Sequence, residues 1–417
     1  MTIIMNKVDF GMPKDVKFCT KCNLSNQRPT STNEFKHDAL TKQIPVAFNK
    51  DNICSACEAV EKKFNAKINW EEREKELIEL CKKYKDFKGQ YNCLVPGSGG
   101  KDSSYQSHIL KHKYGMRPLT VTWAPHLYTD IGWQNFQNWI HKGGFDNYLF
   151  TPNPKIHRLV TRNALINLLH PFQPFIIGQK YFCLKIAKQF DIPLIFYGEH
   201  PSDYGANLKD LKKFGNNSKG SHPGFNNDPL AGLKVGEAKI GGKSINEYVD
   251  EGYKQSDFLA YIPPTAEELG KKNIETHFFS YYLKWIPQEN FYYAVKNTGF
   301  QVNHERTDGT YQKYSSIDDK TDGFFYYTAY IKFGVGRAML DAAMEIRNGH
   351  ITKEEGLGLV KQFDGEFPKR YEKEFLEYVS LSRNEFDELC DKFRPDHLWG
   401  KKSNRWEMKN VPWEKKI

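Results

Sequence analysis

A chain of 417 residues exceeds one small domain and predicts a main catalytic-sized domain with one or two satellites. Hydrophobic residues make up 39% and charged ones 27%, an ordinary globular balance; no run approaches the roughly 18 apolar residues that span a bilayer, and nothing at the N-terminus reads as a secretion signal, so membrane integration is excluded and a cytoplasmic protein is expected. The formal charge of +9 favours an anionic ligand such as ATP or a sugar nucleotide, while the scatter of the basic residues, without a stripe or tail, disfavours nucleic acid.

From the N-terminus, four of the eight cysteines form two C-x-x-C pairs, Cys19 with Cys22 and Cys54 with Cys57. Two intervening residues let both thiolates of a turn reach one ion, and two such turns complete a four-sulfur shell. Structural zinc is the expected occupant; an iron–sulfur cluster or a redox dithiol would use the same ligands. Residues 1–65 are too polar for a large core, so the metal is expected to hold a zinc-ribbon-like module together. The isolated Cys81, Cys93, Cys183 and Cys390 read as small buried hydrophobes. Residues 66–90 form a connecting segment, where Ile68, Leu77, Leu80, Cys81 and Tyr84 recur at helical spacing and Gly89 ends the pattern.

The next segment, 91–280, opens with an apolar strand at Cys93, Leu94 and Val95. A glycine-rich turn and a helical pattern follow. Glycines at 97, 99 and 100 allow close backbone approach, and a helix opening near Ser103 aims its positive end at the same point, which predicts an anion site. Asp102 stands where a Walker loop needs Ser or Thr and where a dinucleotide fold needs its third glycine, so both are excluded. Strands at 117–123, 147–150 and 193–198 alternate with helices at 130–142, 156–169 and 175–190, giving an α/β fold with a doubly wound parallel sheet. Ligands of such sheets sit beyond the carboxyl ends of the strands. That rim carries Ser98, Gly99, Gly100, Lys101, Asp102 and Ser103, then Thr122 and Trp123, then Glu199, His200, Asp203 and Tyr204. Glu199 and Asp203 are candidates to hold a metal on phosphates, with His200 and Tyr204 on the acceptor side. The polar segment 208–232 is expected to be a lid or a surface loop.

Residues 281–417 read as a mostly helical cap, with helices at 338–349 and 352–363. Lys313, Tyr314, Asp318, Asp319, Lys320, Lys332 and Arg337 are polar residues in an aromatic neighbourhood, a mixture suited to recognising a sugar or its nucleotide carrier.

The run Ser98-Gly99-Gly100-Lys101-Asp102-Ser103 resembles the S-G-G-x-D-S signature of the PP-loop ATP pyrophosphatases, the adenine nucleotide alpha hydrolase type of sheet. That resemblance implies that the loop holds departing pyrophosphate, that Asp102 supports Mg2+, and that an acceptor oxygen attacks the α-phosphorus of ATP. Beyond the loop, the chain resembles the N-acetyl sugar amidotransferase family of bacterial surface-polysaccharide and flagellin-sugar biosynthesis. The resemblance is carried by Cys19-Thr20-Lys21-Cys22, Ile53-Cys54-Ser55-Ala56-Cys57, the run 98–106, and residues 117–147, 170–180, 197–205 and 314–338. It implies conversion of a sugar acetamido group to acetamidino, with ammonia from glutaminase and channel subunits resembling the imidazole glycerol phosphate synthase pair. No glutaminase signature occurs in the chain itself, as residue 2 is Thr and no G-x-C-x-G elbow is present. Gly97 departs from the bulkier residue that related sequences often carry before the serine. Two rival readings remain at this level, a PP-loop tRNA-modifying enzyme of the thiolation or lysidine type and a nonenzymatic nucleotide-binding adaptor.

Overall fold

A computed structural model describes residues 10–30, 34–65, 68–215, 222–226, 230, 233, 235–403 and 405–414. Its centre is a six-stranded sheet in the order β3-β2-β1-β4-β8-β5. The strands are β1 (Cys93–Pro96), β2 (Pro118–Trp123), β3 (Asp146–Phe150), β4 (Leu194–Tyr197), β5 (Phe225–Asn226) and, after the ribbon of β6 (Lys239–Ile240) and β7 (Lys243–Ser244), β8 (Glu275–Phe278). All neighbours run parallel except β5, which pairs antiparallel with β8. This is the doubly wound α/β sheet expected from the sequence. The chain winds outward from β1 to β3 and then returns to the far side of β1 as β4, so the switch point lies between β1 and β4. Ligands gather at that crevice in open α/β sheets.

The strands are apolar on both sides because helices cover both faces. Successive residues alternate between two cores. Leu94 and Ile195 pack with Ile177 and Ile186 on one side, whereas Val95, Leu194 and Phe196 pack with Leu77, Leu110 and Phe279 on the other. Helices α1 (Ser55–Phe64) and α2 (Trp70–Lys85) precede the sheet. The latter is capped by Asn69, whose side chain accepts the Glu72 N–H at 3.1 Å. Helices α3 (Lys101–His112), α4 (Asp130–Gly143), α5 (Pro154–Leu168) and α6 (Gln173–Gln189) alternate with the strands. The segment 208–232 is described only in part; Leu208–Gly215 is helix α7 and Phe225–Asn226 is the edge strand. Short helices α8 (Ile245–Asp250), α9 (Ala266–Lys271) and α10 (Phe279–Tyr282) lead to α11 (Pro287–Thr298), which lies along α3.

Five helices follow, α12 (Asp322–Phe333), α13 (Arg337–Arg347), α14 (Lys353–Phe363), α15 (Glu372–Val379) and α16 (Arg383–Lys392). Capping boxes at Thr352 with Glu355 and Ser382 with Glu385 start α14 and α16. A hairpin of β9 (Trp399–Lys402) and β10 (Arg405–Met408) ends the region; its mostly polar residues gave no strand pattern to read. The N-terminal module packs Leu24 and Val46 against Met339, Ala342 and Val360 of α13 and α14. It is also latched to the loop after β4, where Ser55 donates to the Ala206 carbonyl at 2.8 Å and the Ala47 N–H does so at 2.9 Å. No helix among the described residues is long and apolar enough to cross a membrane.

Candidate active site

The phosphate loop joins β1 to α3. Gly99 has φ +85°, and a Cβ there would come within 2.7 Å of the Phe136 Cα and 3.0 Å of the Asn135 carbonyl. Only glycine fits, because the obstacles are backbone atoms. A Cβ on Gly97 would lie 2.2 Å from that of Ser103, so this loop closes too tightly for the bulkier residue of related sequences. Gly100 is the extended N-cap of α3 and carries no capping side chain. The amides of the first turn therefore face outward at the positive end of the helix. The Lys101 ammonium meets the Asp102 carboxylate at 2.5 Å, and Asn290 of α11 donates to the other Asp102 oxygen at 3.0 Å.

The loop opens into a cavity of about 580 Å3, large enough for a nucleotide and part of an acceptor. Glu199, Asp318 and Asp322 bring carboxylates to it, and Lys101, Lys180, Arg28, Arg337 and Arg347 bring cations. Burial pushes the Glu199 carboxyl above its ordinary range, and the nearby Asp102 charge adds to the shift. Burial likewise raises Asp318, against a hydrogen bond from Ser98. Asp322 rises to about 7, mainly through burial, although Arg337 opposes the change. The Asp102 charge beside the buried Glu199 carboxyl is a pairing that a divalent cation would neutralise. Tyr204 donates to Glu199 at 2.9 Å. Arg337 pairs with Asp341 at 3.0 Å and stacks on Tyr326.

Of the residues singled out in the sequence, the structure gathers Ser98 to Ser103, Glu199, Tyr204, Tyr314, Asp318 and Arg337 around this cavity. It places the others away from it. Trp123 faces the helix layer, among Phe150, Phe182 and Tyr261, and Thr122 is buried, accepting from Asn147 at 3.1 Å. His200 caps the turn Pro201–Tyr204 and stacks on His222, while Asp203 accepts the His200 N–H at 3.1 Å. Asp319 ties two loops together, holding the His126 N–H at 2.7 Å and its ring at 2.9 Å. Lys332 points into the core, donating to the Leu168 carbonyl at 2.9 Å, and burial lowers its amine to about 7. Lys313 is exposed and donates to the His304 carbonyl at 2.9 Å, and Lys320 reaches Glu374 at 3.4 Å.

Arg28, Lys180, Asp322, Tyr326 and Arg347 belong to the cavity and were not singled out by the sequence. One signal for them exists. Arg337, Leu340, Asp341, Met344 and Arg347 recur every three or four residues along α13 and form one cavity-facing stripe.

The four N-terminal cysteines converge. Cys19 and Cys57 sulfurs are 3.7 Å apart, Cys22 and Cys54 are 3.6 Å apart, and all four lie within 4.8 Å of one another. Asn23 and Asn52, both with positive φ, turn the two knuckles. The quartet fits a single tetrahedral ion. Glu34, His37 and His170 form a second buried grouping, with Glu34 3.1 Å from His37 and 3.6 Å from His170. The remaining cysteines are buried; burial raises Cys93 well above the ordinary thiol range and pushes Cys183 up to about 12. Such thiols are poor nucleophiles. Among the described residues the cavity is lined by neither cysteine nor histidine.

Comparison with known proteins bears on the C-terminal part of the cavity lining. Residues 308–412 match the family described as LPS biosynthesis protein WbpG-like, C-terminal domain. The chain carries a WbpG-like C-terminal domain. Tyr314, Asp318, Asp322, Tyr326, Arg337 and Arg347 all fall within it and line the cavity. An uncharacterized protein of Methanocaldococcus jannaschii, MJ1599, is 34% identical over 85 residues, which cover 20% of this chain and 29% of that protein. Among solved structures, the NMN synthetase from Francisella tularensis is similar over 49% of this chain and 93% of its own, with 13% identity and a TM-score of 0.25. The U34-tRNA thiolase NcsA from Methanococcus maripaludis, solved with its 4Fe–4S cluster, is similar over 80% of this chain and 86% of its own, with 13% identity and a TM-score of 0.29.

Proposed function

We propose that this chain is an ATP-dependent N-acetyl sugar amidotransferase, an AMP- and pyrophosphate-forming carbon–nitrogen ligase. It converts the acetamido group of a bacterial sugar or sugar nucleotide to acetamidino. The observation that carries this reading is that one cavity is lined both by a glycine-rich anion loop and by residues of the WbpG-like domain, with Asp318 in contact with Ser98.

An amide carbonyl is a poor electrophile, and ammonia displaces its oxygen only once that oxygen has become a good leaving group. In the proposed sequence the amide oxygen bonds to the α-phosphorus of ATP and the α–β bridge breaks, releasing pyrophosphate. Ammonia then adds to the imidate carbon, and AMP departs with the former carbonyl oxygen. The backbone amides at Gly99 and Gly100, with the Lys101 ammonium, stabilise charge on the departing pyrophosphate. Asn290 orients Asp102. Asp102, with Glu199 beside it, would hold Mg2+, which would supply charge neutralisation on the phosphates. Alignment of three reactants in a closed cavity contributes as much as any single group.

Ammonia is assigned to a separate glutaminase and its channel subunit. The absence of cysteine and histidine from the described cavity lining supports this, as does the buried state of Cys93 and Cys183. The same features weigh against a persulfide route to tRNA thiolation. Zinc is assigned to the N-terminal quartet. A tetrahedral shell with bonds of about 2.3 Å spaces its thiolates by about 3.8 Å, close to the separations found, whereas a cubane cluster puts each thiolate on a different iron and needs a wider quartet.

The test is incubation with ATP, Mg2+, ammonium and a panel of N-acetylated sugar nucleotides and nonulosonic acids. A product one mass unit lighter than its acceptor, formed with equimolar AMP and pyrophosphate, is expected. Asp102→Ala is expected to lower turnover by about 100-fold or more with metal content unchanged; wild-type turnover in that variant would remove the site assignment.

A further inference from the structure

A second group of metal-ligating side chains lies outside the cysteine quartet. Glu34 and His37 belong to the N-terminal module, and His170 stands in the loop between α5 and α6. All three side chains expose 10% or less of their surface. The residues around them dock the module on the sheet domain. Phe35 packs on Tyr181 with ring centroids 4.7 Å apart, and the Gln173 amide donates to the Glu34 carbonyl at 2.8 Å.

Hydrogen bonding accounts for only half of this group. His37 Nδ1 lies 3.1 Å from Glu34 Oε2, and its Nε2 meets the Gln43 amide at 3.2 Å. His170 is different. Its Nε2 stands 3.6 Å from Glu34 Oε1, beyond hydrogen-bond range, and its Nδ1 is buried without a partner. A buried imidazole in this state is costly. Nor is the Glu34 charge met by a lysine. Lys332 is near enough to feel it but turns its amine to the Leu168 carbonyl at 2.9 Å, and neither Lys332 nor Lys180 makes a salt bridge to Glu34 among the described residues. A metal ion would supply the missing partner of His170 and of the carboxylate together. Imidazole and carboxylate hold Zn2+ at about 2.0–2.2 Å, which spaces tetrahedral ligands about 3.3 Å apart. The separations of 3.1 and 3.6 Å bracket that value, and the three ligand atoms all lie within 4.8 Å of one another. With Nδ1 on the ion, His37 Nε2 carries the proton, and the Gln43 amide turns its oxygen to it as the outer partner that ligating histidines need.

We infer that Glu34, His37 and His170 form a second metal site, which takes one divalent ion of the zinc class with water in the remaining position. Two imidazole nitrogens and one carboxylate oxygen are a donor set that suits such ions, whereas Mg2+ and Ca2+ favour oxygen ligands throughout. The ion clamps the N-terminal module to the start of α6, the helix that carries Gln179 and Lys180 to the cavity. The two metal sites then divide the work. The cysteine quartet holds the module together internally, and the histidine site fixes it to the domain that bears the phosphate loop.

The test is metal counting on the full-length protein produced with cobalt, which occupies zinc sites and shows a thiolate charge-transfer band only where sulfur binds it. Neither readout depends on whether AMP is formed. The wild type should hold two cobalt ions per chain, with the thiolate band accounting for one of them. His170→Ala and Glu34→Gln should each hold one, with the thiolate band unchanged. One cobalt without that band in the wild type would put an iron–sulfur cluster in the quartet and would still support this site. One cobalt with the full band overturns it, and this wild-type count stands whatever the substitutions do to folding. A second ion that survives both His170→Ala and Glu34→Gln overturns it as well, since that ion would be bound elsewhere.

Discussion

The two poles of the cavity are built by opposite strategies. The phosphate pole comes from six consecutive residues, Ser98 to Ser103, held by a strand on one side and a helix on the other. The other pole takes Arg28 from the N-terminal module, Tyr204 from the loop after β4, Tyr326 from α12 and Arg347 from α13. A contiguous loop is specified by local backbone geometry and tolerates almost no change in it. A pole assembled from four distant segments depends on every interface that brings them together, including the packing of the N-terminal module on α13 and α14.

The largest effect is therefore expected from breaking the metal. Cys54 is fully buried, its sulfur lies 3.6 Å from that of Cys22, and its N–H points at the Cys19 sulfur from 3.3 Å. Cys54→Ser removes one ligand from a shell whose binding free energy in small modules reaches about 10 kcal/mol. Metal content and melting temperature should fall together. Acceptor binding should be lost with them, while ATP binding at the phosphate pole survives; elemental analysis, thermal unfolding and nucleotide titration check the three parts. Loss of metal with an unchanged melting temperature would show that the N-terminal module holds its fold without the metal.

Gly99→Ala is the matching break at the phosphate pole. The added Cβ meets backbone at 2.7 Å and imposes a φ of +85° on an L residue, a combination that costs about 2–3 kcal/mol or displaces the loop. AMP formation should drop by about 100-fold with metal content unchanged, the reverse of the pattern for Cys54→Ser.

What the sequence made legible follows the same division. The loop, the strands around it and the helices α3 to α6 were readable because their signals are local. The two C-x-x-C pairs were readable for the same reason. Thr122 and Trp123 lie on the rim by position, yet Trp123 faces the helix layer, where its ring fills the space that a side chain on Gly178 would occupy, 2.2 Å away. Which face a rim residue presents depends on pleat and on what packs there, and neither is visible in a motif. The charged residues of the C-terminal region divided in a similar way. Asp318 and Arg337 reached the cavity, but Asp319 and Lys332 became internal struts. Arg28 carried no local signal, since a lone arginine in a polar module is normally solvated.

A smaller effect concerns charge between the poles. Asp322 at the start of α12 has its carboxyl raised to about 7, against about 3.9 in an unfolded chain. The folded state thus holds a proton that the unfolded state releases over this interval. Stability from this group is greatest below about pH 4, declines as pH rises towards 7 and is level above. Asp322→Asn should therefore gain about 2 kcal/mol relative to the wild type on going from pH 5 to pH 8, measured by urea unfolding at the two values. Asp364, also raised to about 7, leaves part of the slope in place. A constant difference between variant and wild type at both pH values would mean that Asp322 is already ionised, with Arg337 outweighing burial.

The smallest effect is expected where sequence and structure part most clearly. Lys313 and Lys320 were singled out for sugar recognition and fall within the WbpG-like domain, yet their ammonium groups reach the His304 carbonyl and Glu374, outside the cavity. The Lys320 pair is about a quarter to two-fifths exposed, and ion pairs of that kind contribute about 0–1 kcal/mol. Lys313→Met and Lys320→Met should each leave turnover and acceptor affinity within about twofold of the wild type, because neither removes a group that lines the cavity. A tenfold rise in KM for either variant would place acceptor recognition on the outer face of the WbpG-like domain. The comparison between the poles would then have to be redrawn, with the acceptor extending past Tyr314 towards Lys313.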